Sequence, residues 1–295
     1  MATLKMDRSF YLFLLLGVIL VISTGLVVWR TVTWGTNEAS PFQAELVAIE
    51  TPGENTRSHY HQGRIEATQG QWQQALSHYL KATELDPSYV AVYRAMGLAY
   101  RQLQQWGNAE EAYSRVVKLD SKHARDHVER GYVQIASGQP GKAIESFELA
   151  ITLDEHYAPA YKGLGDVYRA GRQWEEALSY YTLAINEDHH YLETYYYRAA
   201  VQVALRSYDM ALADFDMVVQ AQPHNANAYI GRSIVYWLLG RCTEAQHDLE
   251  SYMALSPGDS TEVKTSQIIG DMRDRIAGCQ GPPADAGAMV SGLFW

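Results

Sequence analysis

Along most of this chain apolar residues recur every three to four positions, the spacing of amphipathic helices, and one stretch shows the pattern whole. Between residues 158 and 191, Tyr161, Leu164, Gly165 and Tyr168 share one helical face, and Ala177, Tyr181 and Ala184 share another. Ala170-Gly171-Arg172 lies between the two faces and reads as a turn. The pattern predicts two short helices laid back to back. Residues 9–29 are different: 21 residues without a charge, apolar on every side. As a helix they would be roughly 31 Å long, enough to cross a bilayer core. Past Pro257, Ser260 is placed to cap a last helix over about 261–277, with Ile268, Ile269, Met272 and Ile276 as its apolar stripe.

The two-helix unit repeats when the frame is moved by 34 residues. Its eighth position reads Gly63, Gly97, Gly131, Gly165, Ala199 and Ser233, small each time. Its twentieth is alanine throughout (Ala75, Ala109, Ala143, Ala177, Ala211, Ala245), and its twenty-fourth is Tyr79, Tyr113, Phe147, Tyr181, Phe215 and Leu249. Pro87, Pro223 and Pro257 stand at position 32, where the second helix must close. Small residues at 8 and 20 let paired helices approach, and the large residue at 24 fills the space between neighbours. This pattern resembles the tetratricopeptide repeat (TPR) family. The resemblance implies an all-α helix-turn-helix solenoid of six repeats, at 56–89, 90–123, 124–157, 158–191, 192–225 and 226–259, closed by a capping helix at 260–278. A tail follows at 279–295, ending Leu293-Phe294-Trp295. Pro140, at the start of a second helix, is compatible with the frame.

The apolar segment adds one transmembrane helix at 9–29, with Phe10, Tyr11, Trp29 and Trp34 near its ends as interfacial aromatics. Lys5 and Arg8 precede it, with Asp7 between them, against Arg30 close behind. That bias sets the short N-terminus, 1–8, in the cytoplasm and the repeats on the periplasmic or equivalent extracytoplasmic side. A cleaved secretory signal is the rival reading, with Val21 and Ser23 flanking a tolerable cleavage site, but the apolar run continues through Leu26 to Trp29. Either way the repeats cross the membrane. Residues 30–55, with Glu38, Glu45, Glu50 and Glu54, read as a spacer.

Charge and chemistry narrow the function. A net charge of −10 argues against nucleic-acid binding over the surface as a whole. The chain holds no nucleotide loop and no G-x-S-x-G, so no enzyme activity is expected. The histidine pairs His59/His61, His123/His127 and His189/His190 lie near helix starts and turns, where solvated residues are common, and no metal or cofactor is expected. The two cysteines acquire a role from the repeats. Cys242 opens the second helix of repeat six, and an antiparallel capping helix would bring Cys279 to the same end, so an oxidising compartment would staple the pair.

In the TPR family the first helix of each repeat lines the concave groove, mainly through positions 2, 5, 9, 12 and 13. The resemblance therefore places Arg57, Tyr60, Arg64, Arg94, Arg101, Arg125, Tyr132, Lys162 and Arg169, with Asp166, in the groove of the first four repeats. Glu193, Tyr196, Val203, Ile230, Ile234, Trp237 and Leu238 follow in the last two. Seven cations against two acids make a groove basic at one end and apolar at the other. Such a groove suits a protein or peptide with acidic and apolar segments. The carboxylate clamp of TPR co-chaperones is absent, since its positions hold Tyr60, Arg64 and Ala95. The expected function is a non-catalytic interaction scaffold on the outer face of a membrane, assisting assembly of a membrane or exported complex. The alternative is a permanent accessory subunit of a multi-subunit membrane complex. A glycan- or metal-binding role is permitted by the aromatics and histidines without being suggested by them.

Overall fold

The computed structural model describes residues 20–21, 27–28, 52–256 and 263–281, and the chain divides into two units, 1–51 and 52–295. In the first unit, β1 (Leu20–Val21) and β2 (Val27–Val28) pair antiparallel, Leu20 opposite Val28 and Val21 opposite Val27. These four residues are extended where the sequence predicts a membrane-spanning helix. The rest of 9–29, the N-terminus 1–8 and most of the expected spacer lie outside the described residues. Among the described residues, no helix is long and apolar enough to cross a membrane.

The second unit is a run of 13 described helices in six pairs and a terminal helix. They are α1 (Pro52–Thr68), α2 (Trp72–Leu85), α3 (Val90–Gln102), α4 (Trp106–Leu119), α5 (Ala124–Ala136), α6 (Pro140–Leu153), α7 (Ala158–Ala170) and α8 (Trp174–Glu187). After these come α9 (Leu192–Ala204), α10 (Tyr208–Ala221), α11 (Ala226–Leu238), α12 (Cys242–Leu255) and α13 (Val263–Ala277). α1 takes in Pro52–Asn55, which the sequence assigns to the spacer; proline is tolerated in a first helical turn. Ser260, the expected cap of α13, and residues 282–295 of the tail lie outside the described residues.

Local chemistry fixes both kinds of turn. Within each repeat the chain reverses at position 15 through a left-handed residue: Gly70, Gln104, Gly138, Arg172, Arg206 and Gly240 all have positive φ. Between the first five repeats, Asp86, Asp120, Asp154 and Asp188 leave the second helix in extended conformation. Their carboxylates accept the backbone N–H two residues on, from Ser88, Lys122, His156 and His190, which closes the turn without a regular cap.

The core runs along the array as the small and large positions require. The six alanines at position 20 are fully buried, and so, nearly, are Tyr79, Tyr113, Phe147, Tyr181, Phe215 and Leu249 at position 24. A Cβ on Gly131 would stand 2.7 Å from the Phe147 ring, and one on Gly163 of the next repeat only 2.3 Å. The ring therefore lies wedged between position 8 of its own repeat and position 6 of the next. Beyond repeat six, Met272 and Ile276 of α13 are buried against Trp237, Leu249 and Tyr252. Cys242 and Cys279 are joined by a disulfide with Cα atoms 5.6 Å apart, and Trp237 Nε1 donates to the Gln280 carbonyl at 2.9 Å.

Candidate functional site

The first helices of repeats one to three, α1, α3 and α5, border an open pocket of about 700 Å³. Tyr60, Arg64, Arg94 and Arg125 of the expected groove meet there, with Trp72, Leu98, Tyr113, Asp126 and Glu129. Tyr60 stands on one wall with its ring edge-on to Tyr89, 5.4 Å between centroids. Arg64 lies over the Tyr60 face, its Cζ 5.8 Å from the ring centre. Behind it, Tyr79 is held in its protonated form, its pKa pushed up to about 12 first by burial and then by Tyr60.

The cations here fall into two kinds. Arg94 is committed: it grips Asp126 through Nε at 2.8 Å and Nη2 at 2.6 Å, and that hydrogen bonding raises its pKa. Arg101, two turns further along α3, bonds Glu129 through Nη1. Arg64 and Arg125 are exposed and have no carboxylate within ion-pair distance among the described residues. Arg57 is exposed on α1 but does not line the pocket. Asp126 and Glu129 sit at positions 3 and 6 of repeat three. A reading confined to groove-facing positions passes over them, although each neutralises a cation one repeat back.

Further along, the expected groove closes, and the sequence reading needs correction. Lys162 is 6% exposed, bound to Asp166 at 2.9 Å and Glu193 at 3.2 Å, and stacked 4.7 Å above the Tyr197 ring. Burial alone would lower its pKa, but the two carboxylates prevail and raise it. Arg169 donates to the Tyr181 hydroxyl at 3.1 Å and places its Cζ 4.9 Å from the centre of the Tyr197 ring, while Tyr181 donates to Asp166 at 2.7 Å. Tyr132 packs edge-on to Phe147, and its hydroxyl is buried. These residues knit repeats three to five together, so Lys162 is not presented to a ligand. Tyr196 is half-buried against Phe215. Ile230 (7% exposed), Ile234 and Trp237 (1% each) are core, and α13 with its tether covers Trp237. The apolar end of the expected groove is thus the hydrophobic seal of the array, because a tryptophan at the last repeat has no further repeat to bury it.

Paired helices of constant length, a small-residue seam and a ring at every joint define a helical-repeat solenoid. Models of the tetratricopeptide repeat match the chain at 63–104, 94–158 and 160–190. The described array is therefore an all-α TPR solenoid, a fold that typically serves as a non-catalytic scaffold for protein–protein interaction and complex assembly. The comparison with curated proteins found no match. Among solved structures, the chain is similar to the APC/C hetero-tetramer Cut9–Hcn1, with TM-score 0.64 and 16% identity over 80% of this chain. It spans only 45% of that chain. It is also similar to pilF of Pseudomonas aeruginosa, with TM-score 0.62 and 18% identity over 75% of this chain and 100% of that one. A third likeness is to a TPR protein of Parabacteroides merdae ATCC 43184, with TM-score 0.59 and 18% identity, covering 80% and 88% of the two chains.

Proposed function

We propose that this protein is a non-catalytic scaffold that holds an acidic, partly apolar segment of another protein in the pocket of repeats one to three. Residues 9–29 anchor it to a membrane, with the repeats on the extracytoplasmic side, and its clients are components of a membrane or exported complex under assembly. The observation that carries the binding reading is the pair Arg64 and Arg125, exposed on one pocket beside Tyr60, Trp72 and Leu98. Two guanidinium groups with no carboxylate partner among the described residues, beside an aromatic wall, attract a carboxylate-bearing segment and give its apolar side chains somewhere to rest. The membrane reading rests on the uncharged length of 9–29, and the paired cysteines Cys242 and Cys279 suit an oxidising compartment. A solenoid of the same fold stands within an assembly in the Cut9–Hcn1 hetero-tetramer.

Capture of the full chain from mildly solubilised membranes tests this. The wild type should retain substoichiometric clients that salt removes, and Arg64→Glu with Arg125→Glu should lose them while melting at the same temperature. Clients kept by the double variant would sink the groove. A fixed-ratio set of membrane proteins surviving high salt would instead make the chain a permanent subunit. Recovery in the soluble fraction after alkaline washing would remove the anchor.

A further inference from the structure

The first repeat carries a side-chain cluster that no other repeat has. In repeats five and six, an arginine at position 7 clips the first helix to an aspartate at position 23 of the second. Arg198 binds Asp214 at 2.8 and 2.7 Å, and Arg232 binds Asp248 at 2.7 and 2.8 Å. Each guanidinium also reaches back to the preceding repeat, to Thr182 at 3.3 Å and to Asp216 at 2.7 Å. In repeat one the residues at these places are Gln62 and His78. Opposite His78, on α1, stands His59, with the two Nδ1 atoms 3.1 Å apart. On its other side, His78 Nε2 lies 3.3 Å from Glu66 Oε1, which also accepts from Gln62 Nε2 at 3.4 Å. The second oxygen, Glu66 Oε2, is buried without a hydrogen-bond partner.

We propose that His59 and His78 chelate one divalent transition-metal ion through their Nδ1 atoms, with Glu66 orienting His78 from behind. Two imidazole nitrogens bound to one zinc at about 2.0–2.1 Å stand roughly 3.3–3.4 Å apart at the tetrahedral angle. The observed 3.1 Å is a little short of that span, so the two rings part slightly to admit the ion. Glu66 Oε1, 3.3 Å from Nε2, favours a proton on that side of His78, and the metal ion would take the place of the proton shared in the hydrogen bond between the two Nδ1 atoms. A carboxylate–histidine pair of this kind is the usual outer support of a metal-bound imidazole. Nitrogen ligands on a half-exposed pair favour zinc, nickel or copper over calcium or magnesium, and water completes the coordination. The ion would supply the positive charge that arginine supplies in the later repeats, clamping α1 to α2 at the N-terminal end of the array. His61, two residues from His59, is exposed and is not a ligand.

Calorimetric titration of the full chain in detergent with zinc chloride, and separately with nickel chloride, tests the site. The wild type should bind one equivalent, and His59→Ala with His78→Ala should abolish that equivalent. Glu66→Gln should weaken it by about 10-fold or more. His189→Ala with His190→Ala, which alters an exposed pair on a different repeat, should leave it unchanged. Hydrogen exchange supplies a second readout: metal should slow exchange of α1 amides in the wild type and not in the His59/His78 variant. An unchanged equivalent in that variant, or no saturable binding by the wild type, would overturn the proposal.

Discussion

The turn within each repeat depends on one backbone conformation, and the sequence supplies glycine for it in only half the cases. In residues 158–191 the glycine stands one place early: Gly171 has φ −78°, while Arg172 takes the left-handed position at φ 57°. Left-handed backbone costs a side-chain-bearing residue about 1–2 kcal/mol, part of which glycine returns as extra freedom in the unfolded chain. Arg172→Gly should therefore raise the free energy of unfolding by about 0.5–1 kcal/mol, and Gly240→Ala should lower it by a similar amount. Urea titration of the two variants checks the opposite signs. Arg94 illustrates how side chains escape a sequence reading at this scale. Its groove position was legible, but its partner Asp126 lies 32 residues on, and only the superposition of adjacent first helices brings them to 2.6 Å.

Between elements, the strongest constraints are the wedged rings and the buried ion pairs. Gly163→Ala would drive a methyl into Phe147 from a helix that cannot retreat, since Gly131 closes the other side. Overpacking of this kind costs about 1–3 kcal/mol, and Phe147→Leu in the same chain should restore part of it. A thermal melt of the single and double variants gives the coupling directly. Asp214→Ala would strand Arg198, whose side chain is 17% exposed, and should cost about 3–5 kcal/mol. The Cys242–Cys279 bond closes a separation of 37 residues, which corresponds to about 3–4 kcal/mol of chain entropy in the unfolded state. Reduction should make α13 the first helix to lose hydrogen-exchange protection, with Trp237 fluorescence shifting red as its cover leaves. Protection of α13 unchanged by reduction would show that the apolar seal alone holds it.

For the whole molecule, the periodic part of the sequence was legible and the singular part was not. The residues at 8, 20 and 24 recur with the repeat, so each fixes the reading of the others, and the 34-residue frame reproduces the helices to within a few residues. The groove was legible only in part. Its positions follow from the frame, but exposure depends on neighbours: the residues that the frame puts at an apolar end, Ile230, Ile234 and Trp237, are those a terminal repeat must bury. At this scale the prediction concerns charge. Glu at positions 64 and 125 should weaken client capture and reduce its salt dependence, whereas Arg101→Gln should matter less, its charge being already matched by Glu129. Finally, the wedged rings give the repeats an order. Phe147 and Phe215 are each followed, at position 6 of the next repeat, by Gly163 and Gly231. Tyr79, Tyr113 and Tyr181 are followed there by Ala95, Glu129 and Tyr197. Exchanging repeats four and five would drive Phe147 against Tyr197 and set Tyr181 against Gly231 in place of the Tyr197 ring it stacks on, so modules that look alike are addressed to their neighbours and cannot be shuffled.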